Sequence, residues 1–338
     1  MSTRTAPRAE VADWQPGAPR SELVRRAGLL SAIRAFFADR GVMEVSLPVL
    51  GGAGVPDVHL ENLSIAVNDR TLFLQTSPEY AMKRLLAAGS GPIYSLGPAF
   101  RGSESGRRHN PEFTMLEWYR PGFDLEHLVS EVEALLRHLG VGAQPALADT
   151  PAFAGVSYAE LFEGRFGINP HRATLLELDD LARTAFPDFR SHIAACSDQG
   201  TRADLLDLMF SQGIEPTLVS PTFVLDFPVC QAALAQTGKS QGGDAVARRF
   251  EFFWQGVELA NGYLELSDPA MLRERFLISN HLRATRGLPT VALDEKFLAA
   301  MPHMPPASGV AMGVERLHML LAGRSTIGEV MAFGLDRL

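Results

Sequence analysis

Residues 248–266, RRFEFFWQGVELANGYLEL, constrain the fold more than any other part of the chain. Two stretches rich in aromatic and β-branched residues flank Gln255-Gly256, a dipeptide suited to a two-residue hairpin turn. Strands over 248–255 and 257–266 commit the chain to antiparallel pairing. With that turn, Trp254 faces Val257, Phe253 faces Glu258 and Glu251 faces Ala260. Directly opposed residues share a sheet face, so Glu251 and Glu258 are diagonal neighbours. Two adjacent carboxylates resist ionising unless a cation sits between them. Mg²⁺ bound with a nucleoside triphosphate supplies that cation, since it needs only one or two carboxylates plus phosphate oxygens. The plain alternative is an exposed strand face carrying two solvated acids. Glu265 has the opposite parity to Glu258, so a site using all three acids predicts a break in the strand near Gly262.

The rest of the chain alternates helices with strands in hairpin-like order. A helix is expected from an N-cap at Ser21 to about Arg40, with Leu23, Leu30, Ile33 and Phe37 at helical spacing and Gly41 as its stop. Strands are expected over 42–47, 72–76, 93–101, 113–119 and 222–227. A helix follows Ser77-Pro78-Glu79, and an amphipathic helix opens at Asp124. Asp268-Pro269 starts another by the N-cap then N1-proline rule. A Gly-rich strand over 308–313 runs into a last helix over 314–321. Residues 145–220 turn helical and more polar, with helices near 174–185 and 202–211, and read as an insertion. The fold class is therefore α+β, an antiparallel sheet flanked by helices.

Composition bounds the function. The 338 residues are 46% hydrophobic, enough for a real core, and their net charge of −8 argues against a broad basic surface for nucleic acid. Residues 1–20 lack an apolar signal core and read as a loose tail. Cys196 and Cys230 are too few for a disulfide framework, which points to core residues in a reducing cytoplasm. The 9 histidines are scattered without paired ligand spacing, against a histidine metal centre.

Two further stretches carry chemistry. The loop FRGSESGRRHNPEF places Arg101, Arg107, Arg108 and His109 between two apolar strands, with Phe113 where the second begins. Arginine forks suit phosphate oxygens and an aromatic face suits a base. A solvated charged loop is the bland alternative. The segment GVAMGVERL, residues 309–317, combines small residues that permit close ligand approach with Arg316 in the following helix; by itself it is most often tight packing.

In this order, these stretches resemble the motifs of class II aminoacyl-tRNA synthetases. The helix and strand ending at Pro48 are similar to the first motif, the arginine loop with HNPEFTMLEWYR to the second, and GVAMGVERL to the third. TSPEYAMKRLL, ELANGYLEL and PTFVLDFP resemble the lysine branch. Within it, the wording and length are similar to stand-alone paralogues that lack an anticodon-binding domain. Those enzymes activate (R)-β-lysine with ATP and pass it to a lysine of elongation factor P.

The resemblance implies a catalytic unit over 21–338, a homodimer joined through the first motif, and ATP and Mg²⁺ as cofactors. It implies Arg101 and Arg316 as the catalytic arginines on the phosphates. Ser103, Glu104, Asn110, Phe113, Leu259 and Gly313 would complete the ATP site, with Phe113 stacking on adenine. Glu251 and Glu258 would hold Mg²⁺. Ser77, Glu79, Tyr119, Glu265 and Ala311 would line the amino-acid pocket. Arg107 and Arg108 would contact an acidic partner or ATP. Two departures stand out. Ser103 replaces the usual second-motif glutamate, with Glu104 one place later, and Ala311 stands where tRNA-charging relatives tend to have glycine. Two other readings stay open here: a stand-alone enzyme acylating tRNA, and a catalytically inactive synthetase-like subunit.

Overall fold

The computed structural model describes residues 14–141, 152–187 and 199–338. Cys196, most of the tail and parts of the segment 145–220 lie outside them. Helix α1 spans Arg20–Ala38 and buries Leu29, Ile33, Phe36 and Phe37; Gly41, at φ +63°, turns the chain behind it. It starts two residues early, with Pro19 rather than Ser21 at the N-cap, and the Gly17 and Ala18 amides before it are bonded to the Ala332 and Met331 carbonyls. The last residues of the expected loose tail are thus pinned to the C-terminal segment.

Strands β1 (Met43–Glu44), β2 (Leu50–Gly51), β3 (Ser64–Val67) and β4 (Arg70–Leu74) precede α2 (Glu79–Ala87). The expected strand over 42–47 shrinks to two residues, and Met43 points to solvent instead of sharing a buried face with Val45 and Leu47. Then come β5 (Ile93–Phe100), β6 (Glu112–Pro121) and α3 (Leu125–His138), the last capped by Asp124. The next segment holds β7 (Ala154–Ser157), α4 (Tyr158–Phe166), α5 (Leu175–Ala185) and α6 (Gln199–Gly213). β7 and α4 escape a reading by periodicity because four half-exposed residues make no apolar alternation. Strands β8 (Thr222–Pro228), β9 (Thr237–Lys239), β10 (Ala245–Trp254) and β11 (Val257–Leu264) follow. Helices α7 (Pro269–Thr285) and α8 (Glu295–Ala300), strand β12 (Ala307–Gly313) and helix α9 (Val314–Leu321) complete the chain.

The main sheet has the order β1-β5-β6-β12-β11-β10-β8-β7, with β9 beside β10; β2, β4 and β3 form a small sheet. Pairing in the main sheet is antiparallel except at its ends, where β1 joins β5 and β7 joins β8 in parallel. One face packs on α1, α3 and α9. The transverse row Tyr94, Trp118, Val310, Gly262, Phe250 points into that core. Each fully buried side chain of this size contributes about 1.5–3 kcal/mol. A β-carbon on Gly262 would lie 2.4 Å from the Phe250 ring, so the cross-strand phenylalanine requires glycine there.

The other face carries two smaller cores. Tyr158, Phe162, Leu206 and Phe210 cover Val224, Phe227 and Phe253 at one end. At the other, Met82, Leu86, Phe276 and Phe297 cover Ile93 and Tyr119. Between them the sheet is bare, and the cavity described below occupies that gap.

The central hairpin turns at Gln255-Gly256 as its sequence requires, with positive φ at both residues (52° and 65°). Its register is broken once. Phe253 pairs with Glu258, but Phe252 pairs with Ala260 and Glu251 with Asn261. Leu259 is the extra residue of a bulge, and both Leu259 and Ala260 are buried in the core. The expected break therefore exists but lies three residues before Gly262, and Glu251 faces Asn261 rather than Ala260. The core takes two consecutive apolar residues, so the acids on either side regain a common face.

Candidate active site

A cavity of about 710 Å³ lies on the bare sheet face. Its floor is laid out by register. Glu251, Asn261, Ala311 and Glu117 form one row across β10, β11, β12 and β6. Tyr263, Gly309 and Tyr119 form the next. Ser77, Glu79, Arg101, Glu104, Asn110, Phe113, Leu259, Glu258, Glu265, Gly313 and Arg316 line the same space. Of the candidate site residues singled out in the sequence, Ser103 and Arg107 are not among the lining residues. The Ser103 hydroxyl turns to the Glu61 carboxylate, while Glu104 lines the cavity 3.4 Å from the Arg101 guanidinium.

At one end the cavity is rich in carboxyls. Lys83, fully buried, lies 2.6 Å from both Glu79 and Glu265. Burial opposes its charge, but those two acids outweigh burial and hold it well above an ordinary lysine. Glu117, also buried, accepts hydrogen bonds from Ser77 Oγ (2.6 Å) and the Tyr119 hydroxyl (2.7 Å). Burial, reinforced by Glu79, pushes its carboxyl up to about 7. A β-carbon on Gly309 would lie 2.3 Å from the Tyr119 ring and 2.6 Å from Glu265 Oε1, so glycine is required beneath both.

At the other end are the cations and the flat ring. The Arg101 guanidinium lies 5.2 Å from the centre of the Phe113 ring. Arg316 donates to the Glu258 carbonyl (3.1 Å) and the Arg108 carbonyl (3.2 Å), with its Nη1 3.4 Å from Glu258 Oε2. Asn110 spends its amide on the Glu112 carbonyl and the Leu335 N–H, which ties the start of β6 to the C-terminal turn. Arg108 is not free for a partner: it donates to the Gly256 carbonyl (2.8 Å) and approaches Glu215. Arg107 remains exposed.

Glu251 sits between these ends. Burial, against the pull of Arg249 and with repulsion from Glu258, pushes its carboxyl up to about 8. Two neighbouring acids, one of them resisting ionisation, form a donor set that a divalent cation carried in by phosphates would complete. Among the described residues no group of three or more His, Cys, Asp or Glu side chains converges on one point as an all-protein metal cage would require.

A family profile described as tRNA synthetases class II (D, K and N) matches residues 3–337. The chain belongs to the class II tRNA synthetases. Within this synthetase family it is 46% identical to the Elongation factor P--(R)-beta-lysine ligase of Edwardsiella ictaluri (strain 93-146), over 97% of this chain and 99% of that one. It is 45% identical, over the same shares, to the protein of that name from Klebsiella pneumoniae (strain 342). For that of Haemophilus influenzae (strain PittGG) the identity is 43%, over 96% and 98%. Residues of the second and third motifs, of TSPEYAMKRLL and of ELANGYLEL thus line one cavity, whereas α1 of the first motif packs on the opposite face of the sheet.

Four residues were not singled out from the sequence: Glu117 and Asn261, which line the cavity, and Lys83 and Arg249, which pair with its lining acids. Lys83 carries a signal in hindsight, one helical turn after Glu79. Glu117 is two residues before Tyr119, hence on the same strand face. Arg249 stands in the same relation to Glu251 and pairs with it. Asn261 is brought to the floor by the bulge alone. Cys230 is half-buried rather than a full core residue, and burial raises its thiol to about 11.

Proposed function

We propose that this chain is an ATP-dependent ligase that activates (R)-β-lysine as an aminoacyl-adenylate and transfers it to the ε-amine of a lysine on elongation factor P. The observation that carries this reading is the charge count at the carboxyl-rich end of the cavity. Three carboxyls, Glu79, Glu117 and Glu265, share one internal ammonium, that of Lys83. A ligand bearing two ammonium groups balances that inventory, and (R)-β-lysine bears two. Relatives named for this reaction, similar over nearly their whole length, support the same substrate and acceptor.

The chemistry needs positioning and charge rather than a protein nucleophile. The substrate carboxylate oxygen attacks the α-phosphorus of ATP, the P–O bond to the leaving group breaks, and pyrophosphate departs. Arg101 would hold the α-phosphate and the carboxylate together, and Arg316 would take the γ-phosphate once it leaves the Glu258 carbonyl. Phe113 would stack on adenine. Glu104, the second-motif acid that lines the cavity, would accept from the adenine amino group in place of Ser103. Glu251 and Glu258 would hold Mg²⁺, which supplies positive charge to the phosphates when bound. In the second step the acceptor ε-amine attacks the carbonyl of the mixed anhydride, loses a proton, and AMP leaves.

We also read this chain as a homodimer through α1 and β1, whose Val24 and Met43 are exposed large apolar side chains. The segment 145–220 is read as an insertion within one catalytic unit, and the acceptor implies a cytoplasmic location. Among the described residues no helix is long and apolar enough to cross a membrane.

The test is mass spectrometry of elongation factor P after incubation with this protein, ATP and each lysine isomer. The expected result is one added lysyl mass on the factor, formed faster with (R)-β-lysine than with α-lysine. No added mass with either isomer, or a reversed preference, overturns the assignment.

A further inference from the structure

We propose that Arg26 and Glu315 are positioning residues for the nucleotide, joining α1, β6 and α9 at the point between Phe113 and Arg316. The inference rests on the reading that Phe113 and Arg316 bracket the nucleotide, Phe113 on adenine and Arg316 on the γ-phosphate. Arg26 Nη2 donates to Glu315 Oε1 and to Thr114 Oγ1, each at 2.7 Å. Glu315 Oε2 accepts the Thr114 backbone N–H at 2.9 Å. Thr114 immediately follows Phe113, and Glu315 immediately precedes Arg316. One carboxylate, 4% exposed, therefore fixes the backbone beneath the ring on one side and the helix turn carrying the guanidinium on the other.

Several features make this junction directional. Glu315 lies in the first turn of α9, where the helix dipole favours a negative group. Both bonds from the arginine and the carboxylate are charge-assisted, the stronger kind. Bracketing residues on separate elements gain most from such a tie, because a misplacement of about 1 Å costs on the order of 10²-fold in rate. One turn away, the same two helices meet again: Glu22 lies 3.3 Å from His318 and 2.8 Å from Arg324. That second contact holds the helices together without touching Phe113, Thr114 or Arg316, and it serves as the internal control.

The experiment compares Arg26→Met, Arg26→Lys, Glu315→Gln and Glu22→Gln in the full chain. It measures ATP–pyrophosphate exchange, ATP binding by equilibrium dialysis, and melting temperature. Loss of the tie in Arg26→Met and Glu315→Gln raises the ATP KM about tenfold and leaves the amino-acid KM within about twofold. Arg26→Lys keeps the charge but not the fork and falls between. Glu22→Gln lowers the melting temperature and leaves the ATP KM unchanged. An unchanged ATP KM in a folded Arg26 variant, or an equal rise in Glu22→Gln, overturns the positioning role. If Arg26→Met does not fold, Arg26→Lys carries the same comparison. Absence of ATP binding by the unsubstituted protein overturns instead the nucleotide reading beneath it.

Discussion

Glu258 and Glu265 stand seven residues apart on one run of chain and nonetheless line the same cavity. A regular strand would turn them to opposite faces. The bulge at Leu259 absorbs the odd residue by burying both Leu259 and Ala260 in the core behind the sheet. The acid beside Arg316 and the acid beside Lys83 are therefore set by one packing event, on the far side of the sheet from both.

The carboxyl end should respond to pH with a definite sign. Glu117 is raised to about 7 in the ligand-free fold, above the ~4.3 of an unfolded glutamate. Its protonated form is favoured by folding, so this contribution is complete below ~4.3 and is lost as pH rises through about 7. Ligand-free protein should lose stability from pH 5 to pH 8, and Glu117→Gln should flatten that slope in urea titrations. A cationic substrate needs the ionised form, so its KM should fall over the same range, by up to about tenfold.

Lys83 offers a test of the charge count. Lys83→Met leaves buried Glu265 and part-buried Glu79 without their shared cation, which should cost about 3–5 kcal/mol in unfolding free energy. The loss should be smaller at pH 5 than at pH 8, because the orphaned carboxyls can then take up protons. A pH-independent loss would point to packing alone.

Gly309 separates the two substrates. In Gly309→Ala the new methyl must displace the Tyr119 ring or Glu265. Steady-state kinetics should show the amino-acid KM rising at least about fivefold, as overpacking of about 1–3 kcal/mol implies, with the ATP KM nearly unchanged.

The paired acids of the hairpin predict the metal dependence. Chelation should abolish ATP–pyrophosphate exchange, and restored Mg²⁺ should recover it. Glu258→Gln should shift half-maximal activation to higher Mg²⁺, while Asp124→Ala, which removes only a distant helix cap, should leave it in place. Direct titration of Mg²⁺ in the presence of ATP checks this independently of turnover.

Elements with strong local signals were readable from the sequence for physical reasons. The Gln255-Gly256 turn, the Asp124 and Asp268 caps and the Gly41 stop each depend on residues adjacent in sequence, and all form where expected. What escaped depends on distant packing. The bulge is displaced from Gly262 because the core, not the flexible Asn261-Gly262 pair, decides where the strand breaks. Strand β7 is too short and exposed to show a period. Lys83 looked like an ordinary helix cation until Glu265, 182 positions away, was brought to it. The shared cavity of the motif residues followed from family resemblance; spacing alone supplied only the Glu251–Glu258 pairing.

The tip of the central hairpin is held from outside the sheet. The Gln255 and Gly256 amides donate to the Val219 and Leu218 carbonyls, and Arg108 of the arginine loop donates to the Gly256 carbonyl. The segment ahead of β8 thus grips the same turn that the arginine loop grips. Shortening the chain there would strand two amide hydrogens and loosen the arginine loop in one cut. The segment is consequently a keystone rather than a detachable ornament, and a minimised enzyme built on this scaffold would have to keep it.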